Sequence, residues 1–233
     1  MLLLGQSAFA DTPPEFSADV PAKITTPETV ETRIGTLHFH NGAPDAKTAE
    51  TVYDNLDFMR GVEAFLTGIS ATSVRAMCNG LESVGVTPNK ALGITEDLMD
   101  ARTLFLTPNT TTVYAFTCLD LRDGPIVMQV PKGVLGPVDA ANFLWVTDIG
   151  LTGPDKGEGG KYLFVPPGSK DPVPDTGYFV MKPTTNTLLV FFRAFMKVGD
   201  IKGAVQGVKD NTNIFPLSAA TTVGSEPKID FIN

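Results

Sequence analysis

Three groups of residues in this chain have types and spacings that could support chemistry. The first is GLTGPDKGEGGKYLFVPPG, Gly150 to Gly168, where glycine, aspartate and lysine crowd together. A phosphate-binding loop needs G-x-x-x-x-G-K-[ST]: glycines free the backbone N–H groups, and the hydroxyl holds a metal ion. Aligned on Gly160-Lys161, the stretch puts Asp155 in the leading glycine's place and Tyr162 in the hydroxyl's. A carboxylate inside a nest of amides repels phosphate, and Tyr162-Leu163-Phe164-Val165 reads as a strand rather than a helix. The stretch is read as a shaped turn, not a phosphate site.

The second group is HFHNGAPD, which holds both histidines of the chain. His38 and His40, at i and i+2 on a strand, point to one face, and Asp45 follows. Two imidazoles and a carboxylate can hold a transition metal. The H-x-H sites of cupin sandwiches add a third histidine, which this sequence does not have. Two solvated histidines at a strand end are the favoured reading, and no metal or other cofactor is assigned. A Ser-His-Asp triad would have to borrow one of the same two histidines. Ser83 has Gly85 behind it but Leu81 where a nucleophile elbow needs glycine.

The third group is polar residues set inside apolar strands. Asp148 follows Trp145-Val146-Thr147, Arg193 sits in LLVFFRAFM, and Asn109 and Tyr114 lie in TPNTTTVY. A lone buried charge costs several kcal/mol, so Asp148 and Arg193 must face water or find partners. Either they form a structural ion pair or stand as two solvent-facing side chains, or they mark a polar pocket with Trp145 as its apolar wall. Asn109, Tyr114, Trp145, Asp148 and Arg193 are therefore the candidate pocket residues.

Several elements must position these groups. Val30–Phe39 alternates as a strand, ended by the turn-former Asn41-Gly42. From Asp45 the period becomes helical (Val52, Leu56, Met59, Val62, Phe65, Leu66), and a second helix is expected over Ala71–Glu82, closed by Gly85. Strands are expected at Thr103–Leu106, Thr111–Leu121, Ile126–Val130, Phe143–Ile149, Tyr162–Val165, Tyr178–Lys182 and Thr187–Met196. Asp200–Lys209 reads as a short helix. Closely spaced strands without intervening helices predict an α+β fold. Its form is an antiparallel β-sandwich, jelly-roll-like, with the helical pair packed against it.

Composition bounds the function. The 233-residue chain carries a net charge of −8 with no basic cluster, which excludes nucleic acid as a partner. No apolar run after the N-terminus reaches the length of a membrane span. At the N-terminus, Ala8-Phe9-Ala10 behind Leu2–Leu4 reads as a signal-peptidase site, predicting a periplasmic or secreted protein. Cys78 and Cys118 pair in an oxidising compartment or stay buried as free thiols, and spacing does not choose. The expected organisation is a signal remnant over 1–10, a flexible segment over 11–27 and the sandwich domain over 28–220. The KIDFIN ending reads as a strand cut short, so 221–233 is expected to begin a further domain.

The stretches LTPNTTTVYAF, WVTDIGLTGPDKGEGGKYLFVPPG and TNTLLVFFRAF, with VETRIGTLHF and TVYDNLDFMRGVEAFL upstream, resemble the bacterial domain of unknown function 1254. The resemblance runs from Val30 to Leu217, and GPDKGxGGKYLxxPPG is its most specific part. It implies an exported protein built from β-sandwich domains with helical additions, followed in longer members by a second β-rich domain. It implies no activity. Thr111 stands where relatives usually carry an acidic residue, and His38 and His40 stand where they usually carry other residues. The expected function is small-ligand binding or assembly, with a homo-oligomer left open. The alternatives are a hydrolase of small esters or amides using Asp148, and a metal-dependent enzyme on His38, His40 and Asp45.

Overall fold

The computed structural model describes residues 21–103, 105, 108–170, 172–220 and 226–233. The expected signal remnant and the 11–20 part of the N-terminal segment lie outside these residues; Ala22–Ile24 form a 3-10 turn. The chain divides into two compact units, Met1–Phe65 and Leu66–Asn233.

Unit 1 holds an antiparallel meander of β1 (Thr29–Thr32), β2 (Gly35–His40) and β3 (Ala43–Pro44). The single strand expected over Val30–Phe39 is in fact a hairpin. Gly35, at φ 118°, turns the chain there, in a region side-chain-bearing residues avoid. Asn41-Gly42, both at positive φ, form the two-residue turn into β3, as the dipeptide predicts. Helix α1 (Ala46–Ser83) starts in this unit. Asp45 caps it, accepting from the Thr48 amide at 2.6 Å, while the Thr48 hydroxyl accepts the His38 amide at 2.7 Å.

The two helices expected on either side of Gly68 are one continuous helix. Proline is absent from Ala46–Ser83, and a lone glycine weakens a helix by about 1 kcal/mol without breaking it. Gly85, at φ 98°, ends it as predicted, and the Val86 amide reaches back to Leu81 O at 2.9 Å.

Unit 2 continues with β4 (Ala91–Ile94), β5 (Val113–Asp120), β6 (Ile126–Val130), β7 (Val134–Ala140) and β8 (Trp145–Gly150). Then come β9 (Gly160–Phe164), β10 (Phe179–Met181), β11 (Thr187–Ala194), α2 (Ile201–Asn211), β12 (Asn213–Pro216) and β13 (Asp230–Ile232). Six strands form one sheet in the order β13-β4-β5-β11-β7-β8, and four form another, β10-β9-β6-β12. Pairing is antiparallel except at β13–β4 and β10–β9, which are parallel. One apolar cluster joins the facing sides of the two sheets, with Leu119, Val138, Val190 and Phe192 meeting Met128, Tyr162, Phe164 and Ile214. The fold is α+β, with sheets in two packed layers and helices against them.

Asp200 caps α2 by accepting from the Gly203 amide at 2.8 Å, and Val205 and Val208 bury its inner face. β7 escapes a sequence reading because Gly136-Pro137 interrupts its pattern. Its ladder to β11 lapses at those two residues, between Val138 and Leu135. Thr103 and Phe105 are not in a strand, and the other residues of that expected strand lie outside the described ones. Residues 230–232, within the KIDFIN strand pattern, form the edge strand β13 of the six-stranded sheet.

The outer face of the six-stranded sheet carries the second half of α1. Val74 and Cys78 pack there on Cys118 and Leu189, with Met77, Leu81 and Phe191 beside them. Cys78 and Cys118 are joined in a disulfide, with Cα atoms 5.8 Å apart. No described helix is long and apolar enough to cross a membrane.

Candidate functional site

Strand alternation decides what lies beneath α1. On β5, Tyr114 and Phe116 share a face with Cys118; on β11, Phe191 and Arg193 share that face with Leu189. The ladder register sets Arg193 opposite Tyr114 and Phe191 opposite Phe116. It also sets Arg193 opposite Leu135 on β7, and Pro137 opposite Asp148 on β8. A cavity of about 810 Å³ opens here, and Tyr114, Asp148 and Arg193 all line it. Ser73 and Met77 of α1, Phe105, Phe143 and Phe191 complete much of its wall. This volume falls in the range of small-molecule sites, roughly 300–1,000 Å³.

Arg193 is half-buried, and among the described residues it makes no ion pair. Tyr114 is 6% exposed, and its hydroxyl accepts the Asn109 amide at 3.0 Å and the Asn109 side-chain N–H at 3.1 Å. Among the described residues nothing accepts the hydroxyl's own hydrogen, which leaves it free to donate. Asn109 thus stands behind Tyr114 rather than lining the cavity. Its Oδ1 is filled by the Thr111 amide and by the hydroxyls of Thr111 and Thr112. Thr111, the departure from the family pattern, is part of this support.

Trp145 is 67% exposed and does not line the cavity; its indole N–H donates to Asp148 Oδ1 at 3.1 Å. The expected apolar wall comes instead from Phe105, Phe143 and Phe191. Phe105 packs edge-on against Phe116 at 5.1 Å between ring centroids, and Tyr114 stacks on Phe116 at 5.8 Å. The ion pair considered for Asp148 and Arg193 is not formed. Sequence also missed Asp139, which is 6% exposed on β7. Burial, and then the nearby Asp148 charge, hold its carboxyl above the usual carboxylate range. Alternation on β11 points to Phe191, whereas Phe143 stands at a turn with φ 66° and carried no such signal.

The histidine group is not assembled into a site. His38 and His40 are exposed on β2, and His40 Nε2 lies 3.3 Å from Asn41 Nδ2. Asp45 is occupied as a helix cap, and the Thr48 amide above all keeps its carboxyl below the usual range. No cluster of three or more His, Cys, Asp or Glu side chains suited to a metal occurs among the described residues.

The glycine stretch is organised around its own carboxylate. Asp155, 4% exposed, accepts from the Gly150 amide at 2.8 Å, the Gly159 amide at 3.0 Å and the Tyr162 hydroxyl at 2.5 Å. Amides that a phosphate would need are already donated inward. Burial and the Asp155 hydrogen bond push the Tyr162 phenol up. Lys161 instead lies 3.8 Å from Glu226 and over the ring of Phe215. Thr152 of this connection borders the cavity.

Comparison with known proteins follows the same outline. A crystal structure of the VPA0106 protein from Vibrio parahaemolyticus is similar, with a TM-score of 0.53 at 17% identity. The match covers 71% of this chain but only 40% of that one. A search of curated proteins found no match. The family described as protein of unknown function (DUF1254) matches residues 89–216, more than half of the chain. The chain belongs to the DUF1254 family.

Proposed function

We propose that this is an exported protein whose sandwich binds a small molecule carrying an anionic group. One observation carries the reading: Arg193 stands half-buried in a largely apolar cavity without an ion-pair partner among the described residues. An uncompensated cation in such a place is costly, and a ligand carboxylate relieves that cost with charge-assisted hydrogen bonds. The Tyr114 hydroxyl, whose own hydrogen has no acceptor among the described residues, adds a second donor. Export is supported by the Cys78–Cys118 disulfide, which persists in oxidising compartments, and by the A-x-A pattern at Ala8-Phe9-Ala10.

The test is calorimetric titration with 3-phenylpropionate and its uncharged amide. The acid is expected to bind and to raise the melting temperature. Replacing Arg193 with Gln is expected to weaken it about 10- to 100-fold, the worth of a hydrogen bond to a charged group. Equal binding of acid and amide, or an unaffected R193Q variant, would overturn the proposal.

A second reading, assembly, is favoured by unit 1. On α1, Val52, Tyr53, Phe58, Met59, Val62 and Phe65 are between 41% and 71% exposed. Val52, Asn55, Met59 and Val62 follow the 3-4 spacing of a coiled-coil seam, and a polar Asn in such a seam fixes register. Phe58 and Phe65 flank this seam and widen the exposed apolar face beside it. The occupant is a second copy of this chain. Sedimentation is expected to give a dimer that M59E dissociates; a monomer at every concentration would remove the reading.

A further inference from the structure

A second cavity, about 420 Å³, adjoins the first and shares the walls Met77, Phe105, Phe143 and Phe191. Its own lining adds Leu81, Met99, Phe116 and Leu189, with Gly80 on the α1 side. No charged or hydrogen-bonding side chain lines this lobe among the described residues. The two lobes differ sharply in chemistry. The first presents Arg193, Tyr114 and Asp148, whereas the second is hydrocarbon, thioether and aromatic throughout. A compact polar metabolite would leave the second lobe without a partner.

Resting on the anion-binding reading above, we infer that the ligand is a single-chain amphiphile, with a carboxylate head at Arg193 and a hydrocarbon tail in the Met99–Leu189 lobe. Three features support this class. A linear chain can pass the shared aromatic wall and bury its methylenes in the second lobe. Met77 and Met99 are unbranched and adapt to tails of varied shape. Asp148 lines the same lobe as Arg193, and its carboxylate repels a doubly charged phosphate head about twice as strongly as a singly charged carboxylate.

Titration of the full chain with hexanoate, octanoate, decanoate and dodecanoate tests the inference. Affinity is expected to tighten about three- to fourfold per added methylene until the lobe is full. Gly80→Leu extends into the lobe from the helix side; a Cβ placed there meets nothing within 4 Å, and leucine favours a helix over glycine. This variant is expected to erase the gain from octanoate to dodecanoate and to shift hexanoate affinity less than twofold. Dodecyl phosphate is expected to bind at least tenfold more weakly than dodecanoate.

The outcomes separate the two readings. If 3-phenylpropionate binds through Arg193 but the acids show no chain-length trend, the amphiphile inference fails while anion binding stands. A trend unchanged in G80L also sinks it, because the tail would then lie elsewhere. Dodecyl phosphate binding as tightly as dodecanoate overturns the carboxylate assignment. If dodecanol binds as well as dodecanoate, the anion-binding reading itself fails, and the inference with it.

Discussion

Replacing Asp155 with alanine is expected to lower the stability of unit 2 by about 3–5 kcal/mol, a large share of the total in a domain of this size. The cost comes from what the carboxylate leaves behind. The Gly150 and Gly159 amides and the Tyr162 hydroxyl all point at Asp155, which is 4% exposed. Each buried donor stranded without an acceptor costs about 1–3 kcal/mol. Few substitutes can reshape the loop to recover them. A Cβ on Gly150, at φ 79°, would lie 1.8 Å from Val134 O, so the chain is pinned to β7 there. Thermal unfolding should show the midpoint lowered by roughly 10 °C. Tyr162→Phe removes one of the stranded donors, so the double variant should cost less than the two single costs summed. Strict additivity would show that the hydroxyl and the carboxylate do not act as one network.

Breaking the Cys78–Cys118 bond is the second large effect. The cross-link closes a loop of 40 residues, and chain-entropy arguments put its worth at about 4 kcal/mol. It ties the second half of α1 to β5, over the face that forms the cavity. In the C78A/C118A variant, the denaturation midpoint should fall and no longer respond to reductant. The wild-type chain should approach that midpoint once reduced. Equal midpoints for oxidised wild type and variant would show that the helix stays seated by packing alone. Because Met77 lines both lobes, ligand affinity is a second readout of the same change.

Much of the fold was legible because it is written in local patterns. The Asn41-Gly42 turn, the Gly85 helix stop, the Asp200–Lys209 helix and the strands within Thr111–Leu121 and Thr187–Met196 each depend on a few adjacent residues. So did the unusual character of Arg193 and Asp148, since a charge among apolar neighbours stands out whatever the fold. The elements missed were those whose signal was interrupted or short. β7 carries Gly136 and Pro137, and β4 and β12 have four residues each. The expected break in α1 was overridden because the helix is held by packing at Val74 and Cys78 as well as by propensity.

What the sequence by itself determined was the class of fold, the family and the failure of Gly150–Gly168 as a phosphate loop. Residue types and short-range spacing suffice for those. Tertiary structure alone decided that Arg193, Tyr114 and Asp148 meet in one cavity while Trp145 and Asn109 stand outside it. It alone joined Cys78 to Cys118, 40 residues apart. It also showed that the carboxylate which spoils the phosphate motif is the one that holds the loop. The reason is physical: strand register and helix docking bring together residues far apart in sequence, and only the folded chain sets both.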